Sequence, residues 1–566
     1  MRRVLWAAAV LAAAAAVLLA LTIPPARQIL SGADDGTVVG VMHIHTNRSD
    51  GRSSPEEVAA AAARAGLRFI VVTDHGDATR TPDPPIYRNG VLCIDGIEIS
   101  TTGGHYVAIG LPPVASPYPL GGEPRDVVED VARLGGFGIA SHPDSPKRGL
   151  AWEGWSTPFD GLEIINPDTS WRKHATERGL GSKFKLFDAI LTYAVRGPET
   201  IASLLTDSSP LVTRWLALTR QRRVVAVAGT DAHALMGPLR MPDYEESFRM
   251  LSVHVKPDRP LSGDAGADAD AIVRGIRAGH LYSTVDGFAT ESRFHFSASN
   301  AAGTAEQGDQ IDAAGPLTLT VESNAPPSYT TTVWRDADVL ATSQREPSFT
   351  VEGPADAAVY RVEIRQPNRP DLPPWLVSNP IYVRNRQAAP AVDSTPGDPI
   401  STETRLLFDG FNTSFWRMET GGSSHGSLDV SSGSSSEPGG ALHVRYSLAN
   451  QDGEDERVAL LAALPGTVAP FERIAFTARA DRPMRVSVQL RRGRENQPAD
   501  RWQRSVYLDA TARAHTIYFN DFTPIEPAPQ APILGEIPYI LFVVDTANAV
   551  PGAVGDFWIS SAALVR

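Results

Sequence analysis

The chain has 566 residues, 42% of them hydrophobic and 21% charged, with a formal net charge of -13. This is a globular composition long enough for two to four domains with real cores. Its acidity excludes a broad phosphate-backbone interface with DNA or RNA, so no nucleic-acid partner is expected, while a small phosphorylated substrate stays open.

The N-terminus reads as a targeting segment. Arg2 and Arg3 precede an apolar run from Val4 to Ile23, broken only by Thr22. About 20 apolar residues match a bilayer span and exceed the apolar core of an ordinary signal peptide. No A-x-A site follows, and Pro24-Pro25 comes directly after the run. The two arginines should stay cytoplasmic. The expectation is an exported protein held by residues 1–30 as a membrane anchor with the catalytic part outside; a cleaved signal and a secreted chain is the alternative. Cys93 is the sole cysteine, so no intramolecular disulfide exists, and in VLCIDGIEIS it reads as a small apolar packing residue.

From 36 to 290 strand-like and helical stretches alternate. The apolar runs are VVGVMHIH, LRFIVVTDH, VLCIDGIEIS, HYVAIG, GFGIASH, DGLEIIN and RVVAVAGTDAH. Ser54-Pro55-Glu56-Glu57 is a capping box with Pro at the first helical position, opening a helix to Arg64. Further helices are expected at 124–134, as one or two elements over 182–222, and at 269–278. Strands spaced by helices imply parallel βα units. From 291 to 385, runs such as LTLTVESN and AVYRVEIRQP alternate at period two and predict a small β-sandwich. Residues 386–403 are rich in Pro, Ser and Thr and read as a linker. From 404 to 566, eight or so short strands separated by turn residues fit a jelly roll.

Nine residues at the ends of the apolar runs carry the chemistry: His43, His45, Asp50, His75, Glu98, His105, His142, Asp231 and His233. Each alone is more often structural than a ligand. A lone HxH is a weak signal, and an Asp in a Ser-Asp-Gly turn is commonplace. Their joint placement at successive strand ends, where active sites of (β/α) barrels lie, points to divalent metals. His43 and His45, two apart on a strand, would project from one face. Glu98 in an apolar strand is costly without a cation, and a bridging role between metals explains it. Imidazole and carboxylate suit Zn, Mn and Fe, and a metal cluster supplies hydroxide near neutral pH. His174, His254, His280 and His295 fall outside this pattern and read as surface or packing residues.

HxH…SDG, TDH, a Glu-bearing strand, HP and DAH, in this order, resemble the polymerase-and-histidinol-phosphatase (PHP) family over residues 38–290. The resemblance implies a distorted (β/α)7 barrel, followed here by two all-β sandwich domains, and a phosphoesterase site with two or three divalent metal ions. It implies that His43, His45, Glu98 and Asp231 hold one metal, that Glu98, His105 and His142 hold a second, and that Asp50, His75 and His233 hold a third. PPWLVSNPIYV resembles the region that follows exported PHP-type domains, and the C-terminal unit resembles a galactose-binding jelly roll in its fold pattern alone.

The function expected is that of an exported phosphoesterase that hydrolyses phosphate esters with metal-bound hydroxide, Glu98 bridging the metals. Lys147 and Arg148, after HPDSP, are candidates to bind a phosphate oxygen, and a solvated basic turn is the equal alternative. Asn166, at the end of DGLEIIN, is a candidate to point into the site, and Glu163 in the same strand either supports the ligands or pairs with another barrel residue. Two other classes compete: a metal-dependent hydrolase of carbohydrate or amide bonds, and a non-enzymatic cell-surface glycan-binding protein. In the last, Trp416, Trp502 or Trp558 would contact glycan, against the alternative that they fill a core.

Overall fold

The computed structural model describes residues 6, 17, 19–32, 34–234, 241–344, 346, 348–385, 403–431, 440–450, 456–493, 499–525 and 528–566. Most of the apolar N-terminal run, and the expected linker save its last residue, lie outside the described residues. Among the described residues no helix is long and apolar enough to cross a membrane. The protein is mixed α/β and rich in strands. It divides into two compact units, Met1–Val114 with Glu123–Pro390, and Ala115–Gly122 with Ala391–Arg566.

Local signals in the first unit set the helices. The Ser54–Glu57 capping box opens Pro55–Arg64. Asn166 caps Pro167–Thr176 by accepting from the Thr169 amide, and Asp264 caps Ala265–Ala278, starting that helix four residues before the apolar pattern does. Where one or two helices are expected over 182–222, the chain forms Leu180–Tyr193, Gly197–Ser203 and Ser209–Thr219. Pro198 and Pro210 lie in the first turns of the later two, where a missing amide proton costs nothing, so each starts a new helix.

The strands of this unit that position the site lie in two sheets joined at their edges. In one, Val38–Met42, Phe69–Val72 and Val91–Asp95 run parallel. In the other the order is Val225–Ala228, Gly161–Ile165, Phe137–Ala140, Gly104–Ile109 and Ile97–Thr101. Gly104–Ile109 runs antiparallel to both its neighbours. Backbone bonds then link the two groups on either side. The amides of Gly96 and Glu98 donate to Val72 and Asp74 (2.7 and 3.2 Å), and those of Thr230 and His45 donate to Met42 and Ala232 (3.0 and 3.1 Å). The pairing therefore runs through seven stretches of chain and returns to its start. Phe69–Val72, Phe137–Ala140, Gly161–Ile165 and Val225–Ala228 are buried at every residue, which is why they read as unbroken apolar runs and not as alternations.

The boundary expected after residue 290 is not a break in packing. Leu376–Ser378 pairs antiparallel with Leu281–Thr284, which continues through Ser252–Val255 to Val38–Met42. Within PPWLVSNPIYV, the Asn379 side chain accepts from the Ala226 amide (2.8 Å) and donates to the Ala226 carbonyl (2.9 Å). Period-two alternation predicts a strand but not its partner. A further sheet, with Phe294–Asn300 and Leu317–Ser323 at its centre, closes a core around Phe296, Leu319, Tyr360 and Trp375.

The second unit holds two six-stranded sheets, antiparallel at every pairing described, around a shared core. Twelve strands are described here, Trp416–Gly421, His425–Ser431 and Arg457–Ala463 among them, against the eight or so that the sequence pattern predicts. Trp416 and Trp502 are core residues whose indole N–H groups donate to the Leu407 and Pro529 carbonyls (2.8 and 2.7 Å), so neither is free to contact glycan. Trp558 is half-buried, stacked on His443 and under the Arg479 guanidinium.

Candidate metal centre

The nine residues converge on one buried focus. The Glu98 carboxylate lies within 3.4 Å of five imidazoles: His142 Nε2 at 2.9 Å, His105 Nδ1 at 3.1 Å, His45 Nε2 at 3.2 Å, His43 Nε2 at 3.3 Å and His75 Nδ1 at 3.4 Å. Asp231 Oδ1 lies 3.5 Å from His43 and His233 and 3.6 Å from His45. Asp50 faces His233, His45 and His75 at 3.2, 3.4 and 3.6 Å. His43, His45, Glu98, His142 and Asp231 are buried, whereas the Asp50 side chain is 51% exposed and marks the open side.

The sheet order explains how distant residues meet. The chain turns back between Ile97–Thr101 and Gly104–Ile109, so His105 opens its strand beside the end of the preceding one, paired with Ser100. His75 bridges to Glu98 in parallel register, and Ile44 to Ala232. The expected strand through HIH ends at Met42. His43 takes a left-handed backbone (φ 63°), as do His142 (φ 29°) and Asp231 (φ 48°). Non-glycine residues pay about 1–3 kcal/mol for such conformations, which concentrate at functional sites.

A second layer orients the imidazoles. His43 Nδ1 donates to Glu163 Oε1 (2.7 Å), leaving Nε2 free to face Glu98. Glu163 Oε2 accepts from the His142 amide (2.6 Å) and from Asn166 Nδ2 (3.0 Å), which also reaches Asp231 at 3.4 Å. His142 Nδ1 donates to the Leu150 carbonyl (3.1 Å) and His233 Nδ1 to the Asp231 carbonyl (2.8 Å). Asp74 holds the Thr46–Ser49 turn through the Thr46 amide and hydroxyl and the Ser49 hydroxyl (2.7, 2.6 and 2.6 Å). The Leu150 carbonyl carries no residue-type signal, so sequence could not point to it. Lys147 and Arg148 lie exposed on the turn that brings Leu150 back to His142.

Electrostatics couple the cluster. Burial opposes ionisation of Glu98, but the charge of His43 and hydrogen bonds from His105 and His142 overcome it and hold its pKa well below the usual carboxylate value. Burial also opposes ionisation of Asp231, and His43, His233 and His142 draw its pKa down. Burial opposes protonation of His142, yet its hydrogen bond to Glu98 and the Glu98 charge raise it to about 9; Asp50 and Asp231 do the same for His233 against the same opposition.

Divalent cations fit these residues. Among the described residues, His43 Nε2, His45 Nε2 and His75 Nδ1 are buried and find no hydrogen-bond partner. Unsatisfied buried nitrogens are costly and call for a partner. Among the described residues, four overlapping groups each bring their ligand atoms within 4.8 Å of one another: His45, Asp50, His75 and His233; His43, His45 and Asp231; His43, Glu98 and His142; His75, Glu98 and His105. These groups divide the residues differently from the family pattern, with His75 joining Glu98 and His105, and His45 joining the Asp50 group.

No family model matches the chain. An uncharacterised protein of Methanocaldococcus jannaschii is 28% identical over 142 residues, 22% of this chain and 80% of that protein. A two-domain protein from Bacteroides vulgatus, described as containing a predicted PHP-like metal-dependent phosphoesterase, aligns over 63% of this chain and 99% of its own, at 15% identity and a TM-score of 0.28. A family 11 carbohydrate-binding module of a Clostridium thermocellum cellulosomal cellulase aligns over 29% of this chain and 94% of its own, at 18% identity and a TM-score of 0.24.

Proposed function

We propose that this protein is an exported metal-dependent phosphoesterase of PHP type, its seven paired stretches forming a distorted (β/α)7 barrel that holds two or three divalent ions. The observation that carries the proposal is the convergence of five imidazoles on Glu98, with three buried ring nitrogens left without a hydrogen-bond partner among the described residues. When bound, divalent ions supply Lewis acidity toward phosphoryl oxygens and a nucleophile from water near neutral pH. Mixed nitrogen and oxygen donors suit Mn, Zn or Fe.

The chain's own contribution is to hold donors still. Glu163 and the Leu150 carbonyl fix the tautomers of His43 and His142, so that both present Nε2 inward. Asn166 ties Glu163 to Asp231, joining two sides of the site. The exposed side at Asp50, His75 and His233 is the entry for a small phosphate ester, and Lys147 and Arg148 are proposed to attract its anionic oxygens. The resemblance of HxH, TDH, HP and DAH to the PHP family is what favours phosphate esters over carbohydrate or amide bonds. Export is proposed on Arg2, Arg3 and the apolar run after them, with residues 1–30 as the anchor.

The test uses the full-length chain in detergent. Metal analysis should find at least two divalent ions per chain, and a chelator should abolish hydrolysis of an aryl phosphate that Mn or Zn restores. A screen of phosphomonoesters and phosphodiesters then ranks substrates. A chain that binds no divalent ion at micromolar concentration would overturn the proposal. N-terminal sequencing of the mature protein, together with its fractionation, decides between anchor and cleaved signal.

A further inference from the structure

The helix Leu180–Tyr193 turns apolar side chains to solvent. Leu180 is 88% exposed, Phe184 48%, Phe187 53% and Ile190 52%, and Trp171 (44%) and Val195 (55%) flank them. At about 100° per residue the four helical positions fall within a stripe of about 120°, the width of an ordinary packing face. Single exposed hydrophobics need no explanation, but a stripe with two aromatic rings does, and the helix that bears the exposed Trp171 packs against this one.

Two observations indicate what covers it. First, the apolar N-terminal run ends at this helix. Thr22 hydrogen-bonds Asp188 in its middle, and the Pro24 carbonyl accepts from Arg196 just beyond its end. Past that point the chain is fixed to the same unit, Gln28–Ile29 pairing with Ala289–Thr290. An apolar run placed in a bilayer would therefore bring the stripe to the membrane surface without a flexible tether. Second, Arg172, Lys173 and Arg196 are turned to Asp168, Asp144 and the Pro24 carbonyl, but Arg178, Lys183 and Lys185 are exposed against one exposed acid of the stretch, Glu177, with Asp371 4.0 Å from Lys185, in a chain of net charge -13. That local excess suits anionic lipid headgroups. In a symmetric contact between two copies it would set like charges face to face.

We infer that the stripe on Leu180–Tyr193, with Trp171 and Val195, is an interfacial membrane-docking face that lies in the headgroup region of an anionic bilayer. Such helices bury an apolar face a few ångströms into the lipid boundary. The helix Pro167–Thr176, which bears Trp171, begins at Asn166 beside the metal centre. The face thus sits one short helix from the catalytic residues. The inference needs a bilayer but not the reaction assigned to the metals, so it stands or fails apart from that assignment.

The test is nitroxide accessibility on the full-length chain in a Cys93→Ser background. Phe187→Cys is compared with Val339→Cys, an exposed position elsewhere in the same unit. The chain is placed in phosphatidylcholine vesicles with about one third phosphatidylglycerol, an anionic surface of the kind basic segments bind. The label at 187 should be several-fold more accessible to oxygen than to a water-soluble nickel complex, and the label at 339 should show the reverse. Water-like accessibility at both positions overturns the inference. So does shielding of 187 from both reagents; a dimeric mass in detergent then identifies a second copy as the cover, and a monomeric mass the chain's own N-terminal run. A second measurement guards against a perturbing label. Vesicles with brominated acyl chains should quench the unlabelled protein more than its Trp171→Phe variant, and equal quenching counts against the face.

Discussion

Replacing Glu163 by Gln keeps the shape of a buried side chain and inverts part of its hydrogen bonding. Glu163 accepts from three donors: His43 Nδ1 at 2.7 Å, the His142 amide at 2.6 Å and Asn166 Nδ2 at 3.0 Å. A glutamine has one acceptor oxygen, so its NH2 must meet at least one of them. If that is His43, the imidazole is driven to the tautomer with its proton on Nε2, the atom that faces Glu98, and it ceases to be a ligand. If it is the His142 amide, a buried donor is left unsatisfied at about 1–3 kcal/mol. Losses of this kind at metal-supporting residues run at about 10–100-fold in affinity, equivalent to about 1.4–2.7 kcal/mol. Competition titration with a metal-sensitive chelator dye on the full-length protein measures this directly, with a thermal melt of the metal-free chain to separate loss of folding from loss of binding. Glu163→Gln should weaken divalent-metal affinity at least tenfold while the metal-free chain still melts cooperatively. Metal affinity within twofold of wild type would refute the claim that Glu163 sets the His43 tautomer.

Gly229 should be as sensitive as Glu163, because a Cβ there would stand 1.5 Å from Glu163 Oε1 and 3.0 Å from His43 Cβ; Gly229→Ala should lower metal content, and a fully loaded variant would speak against this packing. His142→Ala should reduce aryl-phosphate turnover by orders of magnitude. His174→Ala should leave turnover per folded molecule near wild type and lower the melting temperature, since His174 is buried with Nε2 on the Leu204 carbonyl (3.0 Å); equal losses of turnover would contradict the site as drawn. The fourth prediction concerns acid. Burial, opposed by Asp35 and reinforced by Arg293, lowers the pKa of His254 to about 4, so the native state refuses a proton that the unfolded chain accepts. Its contribution is neutral above about pH 6.5 and costs stability as pH falls toward 4, reaching roughly 3 kcal/mol. Asp286, raised to about 6 by burial, works in the opposite sense over part of that range. The clean measurement is therefore the stability difference between wild type and His254→Gln by urea unfolding: it should shift in favour of the variant by that amount between pH 7 and pH 4, and a constant difference would exclude the assignment.

The residues of the candidate centre were legible because they break a simple rule. Titratable side chains at the ends of apolar runs have no packing reason to be there, and nine of them in one order resemble a known ligand set. The supporting layer was half legible. Glu163 and Asn166 stand out in an apolar strand, whereas the Leu150 carbonyl, a backbone group, does not. The left-handed backbone at His43, His142 and Asp231 was not legible either, since φ depends on what surrounds a residue and not on its type alone.

The same division holds for the fold. Periodicity marks buried strands, capping residues mark helix starts, and both are local, so sequence by itself marked the buried strands and capped helices around the site and the residues that are candidates to bind metal. Pairing is not local. That Gly104–Ile109 runs antiparallel to Phe137–Ala140, and that Leu376–Ser378 continues the sheet of Leu281–Thr284, follow from hydrogen bonds between segments up to about a hundred residues apart. Nor could the pattern of Leu180–Tyr193 say whether Phe184, Phe187 and Ile190 meet a core or a surface. An amphipathic helix has the same sequence in either case, and only the tertiary structure decides what, if anything, lies against its apolar side.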